Sequence, residues 1–215
     1  MKRGRLLSFE GVDGAGKTTQ IDLLEDWLRS RQIPYLRTRE PGGTPLGLEI
    51  RRLLLDRPDL ELDPLAEAFL FQADRAQHFS QVIQPALEAG KLVLTDRYFD
   101  ASIAYQGYAR GLGANQIEQL SLLATRGLVP DLTIMLDLDA KRVEERTEAS
   151  GEGGQREERN RLDQESEAFF RRVREGLLQL ANAHPERIRV INAARPIEQV
   201  QQKVIALVEE LLQGM

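Results

Sequence analysis

Eight consecutive residues, Gly11-Val12-Asp13-Gly14-Ala15-Gly16-Lys17-Thr18, carry the densest chemistry in the chain. They fit G-x-x-x-x-G-K-S/T, a loop whose backbone amides cradle phosphate. Glycine lets the backbone curl so that successive N–H groups point inward at a helix N-terminus, forming a nest for an anion. Lys17 adds positive charge for β- and γ-phosphates, and the Thr18 hydroxyl suits Mg²⁺. The bland alternative is a glycine turn beside a surface lysine, and the flanks argue against it. Residues 5–10 read as a strand entering the loop, while Ile21, Leu24 and Leu28 recur at helical spacing behind it. Strand, glycine loop and helix together imply a site for a nucleoside triphosphate.

A second group of residues could recognise what the triphosphate reacts with. Phe71, Asp74, Arg75 and His78 fall at i, i+3, i+4 and i+7, on one face of an expected helix. An aromatic ring beside a guanidinium and a carboxylate suits a nucleobase, the ring stacking and the polar groups reading an edge. A solvated face with one stray phenylalanine is the alternative. Ala66, Phe69, Leu70, Ala73 and Ala76 form an apolar stripe on the same helix and are expected to face the core. Asp96 closes an apolar strand, a position where such proteins keep an acid for the Mg²⁺ shell, and Asp137 is its rival at the end of another. Arg97 could neutralise a second phosphate or simply pair with Asp96. Arg156, Arg159 and Arg161 lie in a Gly-rich, charged stretch, where an arginine could close onto a transferring phosphoryl group. A charged loop without that role is the competing reading.

These residues need a scaffold, and the chain punctuates one. Further strands are expected at 33–38, 91–95, 132–136 and 188–191, separated by helical segments. Thr44-Pro45 and Asp63-Pro64 are helix-start signals, Asp63 opening a helix through about residue 80; Asp163 is a candidate cap for a later helix. Strands alternating with helices predict an α/β protein: a five-stranded parallel sheet flanked by helices in three layers, the P-loop NTPase fold. Its ligands sit at the C-terminal ends of the strands, where the phosphate loop, the Glu40 loop and Asp96-Arg97 converge. Residues 1–215 are expected to form one domain, with a mobile lid at about 149–162.

Composition narrows the classes. At 215 residues and 41% hydrophobic, the chain can bury one core. A formal net charge of −5 gives no long-range attraction to nucleic acid or anionic membrane, so neither is expected as a partner. Cysteine is absent, which excludes disulfides, Cys-type zinc sites and thiol nucleophiles and fits a reducing cytoplasm. The first strand begins within a few residues, leaving no room for a signal peptide, and no apolar run approaches a membrane span.

Taken together, Phe9-Glu10-Gly11 through Thr18-Thr19, Arg39-Glu40-Pro41-Gly42-Gly43-Thr44, Asp96-Arg97-Tyr98, residues 104–111, Pro130-Asp131-Leu132-Thr133 and Arg161-Leu162-Asp163-Gln164-Glu165 resemble the bacterial thymidylate (dTMP) kinases. The motifs occur in family order over nearly the whole chain. The resemblance implies an ATP:dTMP phosphotransferase that makes dTDP with Mg²⁺ in nucleotide biosynthesis, on the way to dTTP. It implies that Phe71 stacks on thymine, that Arg75 reads the base, and that Gln106 lies near base and sugar. Arg97 would hold the acceptor phosphate, with Arg39, Glu40 and Arg51 close by and Asp13 near the sugar 3′-hydroxyl. Asp96 would hold Mg²⁺ directly or through water, and Arg146 and Arg195 would contact adenine. No variable position of the phosphate loop is basic, so the catalytic arginine would come from the lid, as in the bacterial type. A homodimer is implied as well. Two features depart from the pattern: the acid at Asp74, and a lid lengthened by its Gly-Glu-Gly-Gly stretch.

Other classes find less support. Asn160-Arg161-Leu162-Asp163 looks faintly like the guanine-reading N-K-x-D of a GTP-driven switch, but it has Arg for Lys and does not follow a strand. Gly107, Gly111 and Gly113 lack the spacing and the preceding strand of a dinucleotide site.

Overall fold

The computed structural model describes residues 3–139 and 161–213. Five parallel strands form one sheet in the order β2-β3-β1-β4-β5: β1 (Leu6–Glu10), β2 (Tyr35–Arg39), β3 (Leu92–Asp96), β4 (Leu132–Asp137) and β5 (Ile188–Asn192). The order follows from burial. Every residue of β1 is buried, and β3 and β4 are buried apart from their last residues, as expected for strands covered on both faces. The half-exposed β2 and β5 lie at the edges. Phe9 pairs with Asp96 across β1 and β3, so the phosphate loop and Asp96-Arg97 leave the sheet side by side.

The helices flanking the sheet are α1 (Lys17–Ser30), α2 (Pro45–Leu55), α3 (Pro64–His78), α4 (Gln84–Glu88), α5 (Phe99–Ser102), α6 (Ala114–Ala124), α7 (Glu167–Ala183) and α8 (Ile197–Gln213). Single π-helical stretches extend α3 at Phe79–Ile83 and α5 at Ile103–Ala109. Local signals set the starts. Thr44 caps α2 by accepting from Gly47 N, and Asp63 caps α3 by accepting from Leu65 N and Ala66 N, each ahead of a proline at the first helical position. The helix expected behind Asp163 starts later: a short 3₁₀ turn, Leu162–Gln164, intervenes, and the Ser166 hydroxyl accepts from Phe169 N.

One expectation is reversed. The stripe Ala66, Phe69, Leu70, Ala73 and Ala76 does not face the core: Phe69 is 52% exposed, the three alanines are exposed, and Leu70 is only partly buried. The buried face of α3 is instead Glu67, Ala68, Gln72, Asp74, Arg75 and His78. Polar groups go inward here because the surrounding elements supply a partner for each of them.

Buried polar groups tie the strand ends together. Asp100 takes a two-pronged bond from Arg187 (2.7 and 2.9 Å) and another from the Thr133 hydroxyl, linking α5 to β4 and the entrance of β5. Glu10 Oε1, at the end of β1, accepts from Ser8 Oγ and Tyr98 N, both at 2.8 Å. Burial, reinforced by nearby Asp100 and only partly offset by Arg97, raises the Glu10 pKa to about 8. The folded protein therefore keeps this proton between about pH 5 and 8 while the unfolded chain releases it, so this group's contribution to stability falls as pH rises through that window. Glu10→Gln removes the titration. Urea unfolding at pH 5 to 8 is expected to show wild type losing ground to the variant by at most about 1.4 kcal/mol per pH unit; parallel curves would refute the assignment.

Candidate active site

The phosphate loop leaves β1 in the conformation its glycines allow. Gly11, Gly14 and Gly16 have φ of 142°, 77° and 94°, and a Cβ on Gly11 would lie 2.6 Å from Leu136 O. Gly16 is the N-cap of α1 and carries no capping side chain, so the first amides of α1 are left for an anion. Lys17 is buried and curls back over the loop, its Nζ 3.3 Å from Gly11 O, 3.2 Å from Val12 O and 3.5 Å from Asp13 Oδ1. Val12 and Ala15 pack into the core beneath, while Thr18 is exposed on the first turn.

Arg97 reaches this loop from β3. Its backbone is left-handed, φ 66°, in a region that side chains other than glycine rarely adopt. From there its guanidinium donates to Gly11 O at 3.1 Å, Asp13 Oδ1 at 2.7 Å and the Tyr105 hydroxyl at 3.2 Å, with the Tyr105 ring 5.1 Å away. The competing reading, a simple pair with Asp96, is not what forms. Partial burial opposes ionisation of Asp13, yet Arg97 and then Lys17 outweigh it and hold the carboxyl well below the usual carboxylate range. Tyr105, which sequence reasoning missed, sits in the π-helical stretch, whose extra residue per turn has no local sequence signature.

The two acids weighed for Mg²⁺ now separate. Both Asp137 oxygens are taken by Arg174, at 2.6 and 2.9 Å. Asp96 Oδ1 is buried without a partner. Among the described residues no cluster of three or more His, Cys, Asp or Glu forms a protein-only metal cage. A single orphaned carboxylate oxygen beside a phosphate loop with a threonine fits Mg²⁺, which takes few protein ligands and fills its shell with phosphate and water.

The second group of candidate residues is built on α3 and the loop after β2. Glu40 is buried, with Oε2 2.8 Å from Arg75 Nε and Oε1 2.9 Å from His78 Nδ1. His78 Nε2 lies 2.6 Å from Thr38 Oγ1. Arg75 spends its other donors on Gln72, Ser121, Tyr98 O and Ser102. Asp74 accepts from Gly42 N at 3.1 Å, and burial, with Glu40 nearby, raises its pKa to about 6. The helix face that spacing picked out thus braces the Glu40 loop, with Phe71 partly buried beside it. Arg39 is exposed at the end of β2, and Arg51 Nη1 donates to Pro41 O. A Cβ on Gly42 would come within 3.1 Å of Arg51 Cδ and 3.8 Å of Arg39 Nε, so both arginines flank this loop. Gln106 is buried and donates to Glu67.

At the other edge, a cavity of about 210 Å³ opens at the ends of β4 and β5, lined by Asp137, Leu138, Asp139, Arg174, Asn192 and Ala194. Arg195 is exposed next to it. Arg146, Arg156 and Arg159 lie outside the described residues. Arg161 is described, and its guanidinium engages Leu54 O and Glu67.

Gly43 tests how firmly His78 braces the loop. A Cβ there would fall 2.4 Å from His78 Cδ2 and 2.5 Å from Nε2, atoms pinned from both sides. Gly43→Ala is expected to cost about 1–3 kcal/mol by overpacking, read as a lowered thermal midpoint. An unchanged midpoint would mean that the loop yields and His78 does not brace it.

Comparison with known proteins agrees with this geometry. The family description "Thymidylate kinase" matches residues 9–204. A thymidylate kinase of Pelotomaculum thermopropionicum is 49% identical over 210 residues, 98% of this chain and 95% of the relative. One from Deinococcus radiodurans is 44% identical over 98% of both chains. The crystal structure of the Ehrlichia chaffeensis thymidylate kinase superposes with a TM-score of 0.75 at 33% identity, covering 96% of this chain and 99% of that one. A family match over residues 9–204 and relatives nearly half identical over almost the whole chain show that the chain belongs to the thymidylate kinase family.

Proposed function

We propose that the protein transfers the γ-phosphoryl group of ATP to dTMP, giving dTDP and ADP. The observation that carries this reading is the seat of Arg97: a cation held in a strained backbone conformation between the phosphate loop and the acceptor-side elements. A phosphate-to-phosphate transferase must bring two anions together, and a cation seated between the two groups of residues is suited to that.

The chemistry asks little of the protein beyond charge and alignment. A phosphate monoester is already an anionic nucleophile, so no general base is needed; an acceptor oxygen bonds to the γ-phosphorus as the bond to the ADP oxygen breaks. Lys17 and the amides from Gly11 to Thr18 would hold the donor phosphates, and Arg97 would align the acceptor phosphate, helped by Arg39 and Arg51. Thr18 and Asp96 would hold Mg²⁺, which supplies neutralisation of charge on the β- and γ-oxygens. Lid arginines would stabilise the charge that develops in transfer. Phe71 and Arg75 would receive thymine, with Asp74 and Glu40 holding their surroundings. Arg75 gives all its donors to protein acceptors, so reading the base requires it to exchange one of them. Arg195 and the cavity between β4 and β5 would receive adenine, with Arg146.

We also read the protein as a homodimer. The outward stripe of α3 exposes Leu65 and Phe69, and the helices packed against it expose Leu46, Leu48 and Leu53 on α2 and Leu123 on α6. Exposed large apolar residues on three neighbouring helices suit contact with a second copy of the chain. A cytoplasmic location, one domain over residues 1–215 and no nucleic-acid or membrane partner complete the reading. Among the described residues no helix is long and apolar enough to cross a membrane.

The deciding experiment is ADP release from Mg·ATP with dTMP, dUMP, dCMP, dGMP, AMP or no acceptor. Turnover is expected with dTMP, weaker use of dUMP, and a loss of about a hundredfold or more in kcat/KM for Arg97→Ala. Equal ADP release with and without acceptor would overturn the kinase reading.

A further inference from the structure

Glu67 is a buried acid that neither the phosphate loop nor the Glu40 loop uses. It lies on α3 one helical turn before Phe71 and is 1% exposed. Donors reach it from two other parts of the chain. Gln106 Nε2 donates to Oε1 at 3.0 Å, Arg110 donates through Nε at 3.2 Å and Nη2 at 3.1 Å, and Arg161 Nη2 donates to Oε2. Burial alone would push its pKa up, but the bonds from Arg110, Arg161 and Gln106 prevail and hold it below the usual carboxylate value. Glu165, 2.6 Å from Arg110 Nη2, offsets the second guanidinium, and the Arg110 guanidinium lies 4.7 Å from the centre of the Phe169 ring.

Arg161 is committed twice more. Its Nε donates to Leu54 O at 2.9 Å and its backbone N–H to Leu55 O at 2.8 Å, so main chain and side chain both grip the last turn of α2. Gln106 leads the other way: it follows Tyr105, whose hydroxyl and ring hold Arg97. One carboxylate thus joins α2, α3, the π-helical stretch under Arg97 and the segment that begins at residue 161.

We propose that Glu67 is a positioning residue that locks Gln106 and Arg161 together on the acceptor side, and that Arg161 acts by anchoring residues 161–165 to α2 and α3 instead of touching the transferred phosphoryl group. What is positioned rests on the dTMP kinase reading; the anchoring itself is independent of substrate. All three donors on Glu67 are already committed to it, and a guanidinium spread over a carboxylate and a main-chain carbonyl has to break both contacts before it can reach a phosphate.

Two measurements test this. Amide hydrogen exchange on the substrate-free protein reads the anchoring: in Glu67→Gln, protection at residues 161–165 is expected to fall at least about tenfold while β1 and β4 keep theirs. Steady-state kinetics with Mg·ATP and dTMP read the positioning. Glu67→Gln and Arg161→Ala are each expected to raise KM for dTMP about tenfold with kcat within about threefold, the double variant to be no worse than the poorer single one, and Arg161→Lys to recover part of the loss. A fall of about a thousandfold in kcat at unchanged KM in Arg161→Ala would overturn the proposal, because that is what a cation on the transferring group shows. Unchanged exchange at 161–165 would overturn it too. If Glu67→Gln does not fold, Arg161→Ala against Arg161→Lys supplies both readouts. A wild-type protein inactive on dTMP would refute the kinase reading, and the exchange result would then decide the anchoring alone.

Discussion

A fully buried guanidinium, that of Arg75, underlies the half of this protein built on α3 and the Glu40 loop. Arg75 has five N–H groups and places them on five acceptors: Glu40, Gln72, Ser121, Tyr98 O and Ser102. Those acceptors sit on the loop after β2, on α3 itself, on α6 and around α5. A buried charge tolerates no vacancy among its partners, so the positions of these elements are mutually dictated. The Glu40 carboxylate transmits the constraint to His78 and through it to Thr38, and Asp74 fastens the loop again at Gly42. The Glu40 loop is thus held by charge satisfied beneath it.

The phosphate-loop half works by a different principle. Its cations rest on main-chain carbonyls and on a carboxylate that they share. Lys17 leans on main-chain carbonyls at 3.2 and 3.3 Å, and Arg97 shares Asp13 with it. Carbonyl oxygens and a half-exposed carboxylate hold a cation in place without matching an incoming polyphosphate as a partner. The backbone of Arg97 stays fixed meanwhile, its N–H donating to Phe9 O as an extension of the β1–β3 pairing. Sheet register therefore delivers the cation to the loop, and only its terminal contacts need to change.

Much of this was legible in the order of residues. β1, the phosphate loop and α1 follow from one motif and its flanks, and the caps at Thr44 and Asp63 from residue types whose side chains accept from early helical amides. Periodicity on α3 separated two faces and then turned the apolar stripe, the wrong one, toward the core. Hydrophobicity alone cannot tell a core stripe from one awaiting a partner, and a polar face is read as solvated unless its partners, scattered over residues 38 to 121, are known. The same limit hid Glu67, whose donors are remote in sequence, and Tyr105, whose direction depends on a π-helical turn. Asp96 and Asp137 were equivalent as strand-end acids until Arg174, from a distant helix, occupied one of them.

The two-sidedness of α3 has a consequence for how the protein can change over time. Its inner face buries Glu67, Arg75 and His78 against partners from distant parts of the chain, and its outer face exposes Leu65 and Phe69. A change on the inner side strands a buried charge, whereas exposed Ala66, Ala73 and Ala76 on the outer side can change without touching one. The fifteen residues of this helix are thus held by two different constraints, one on each face.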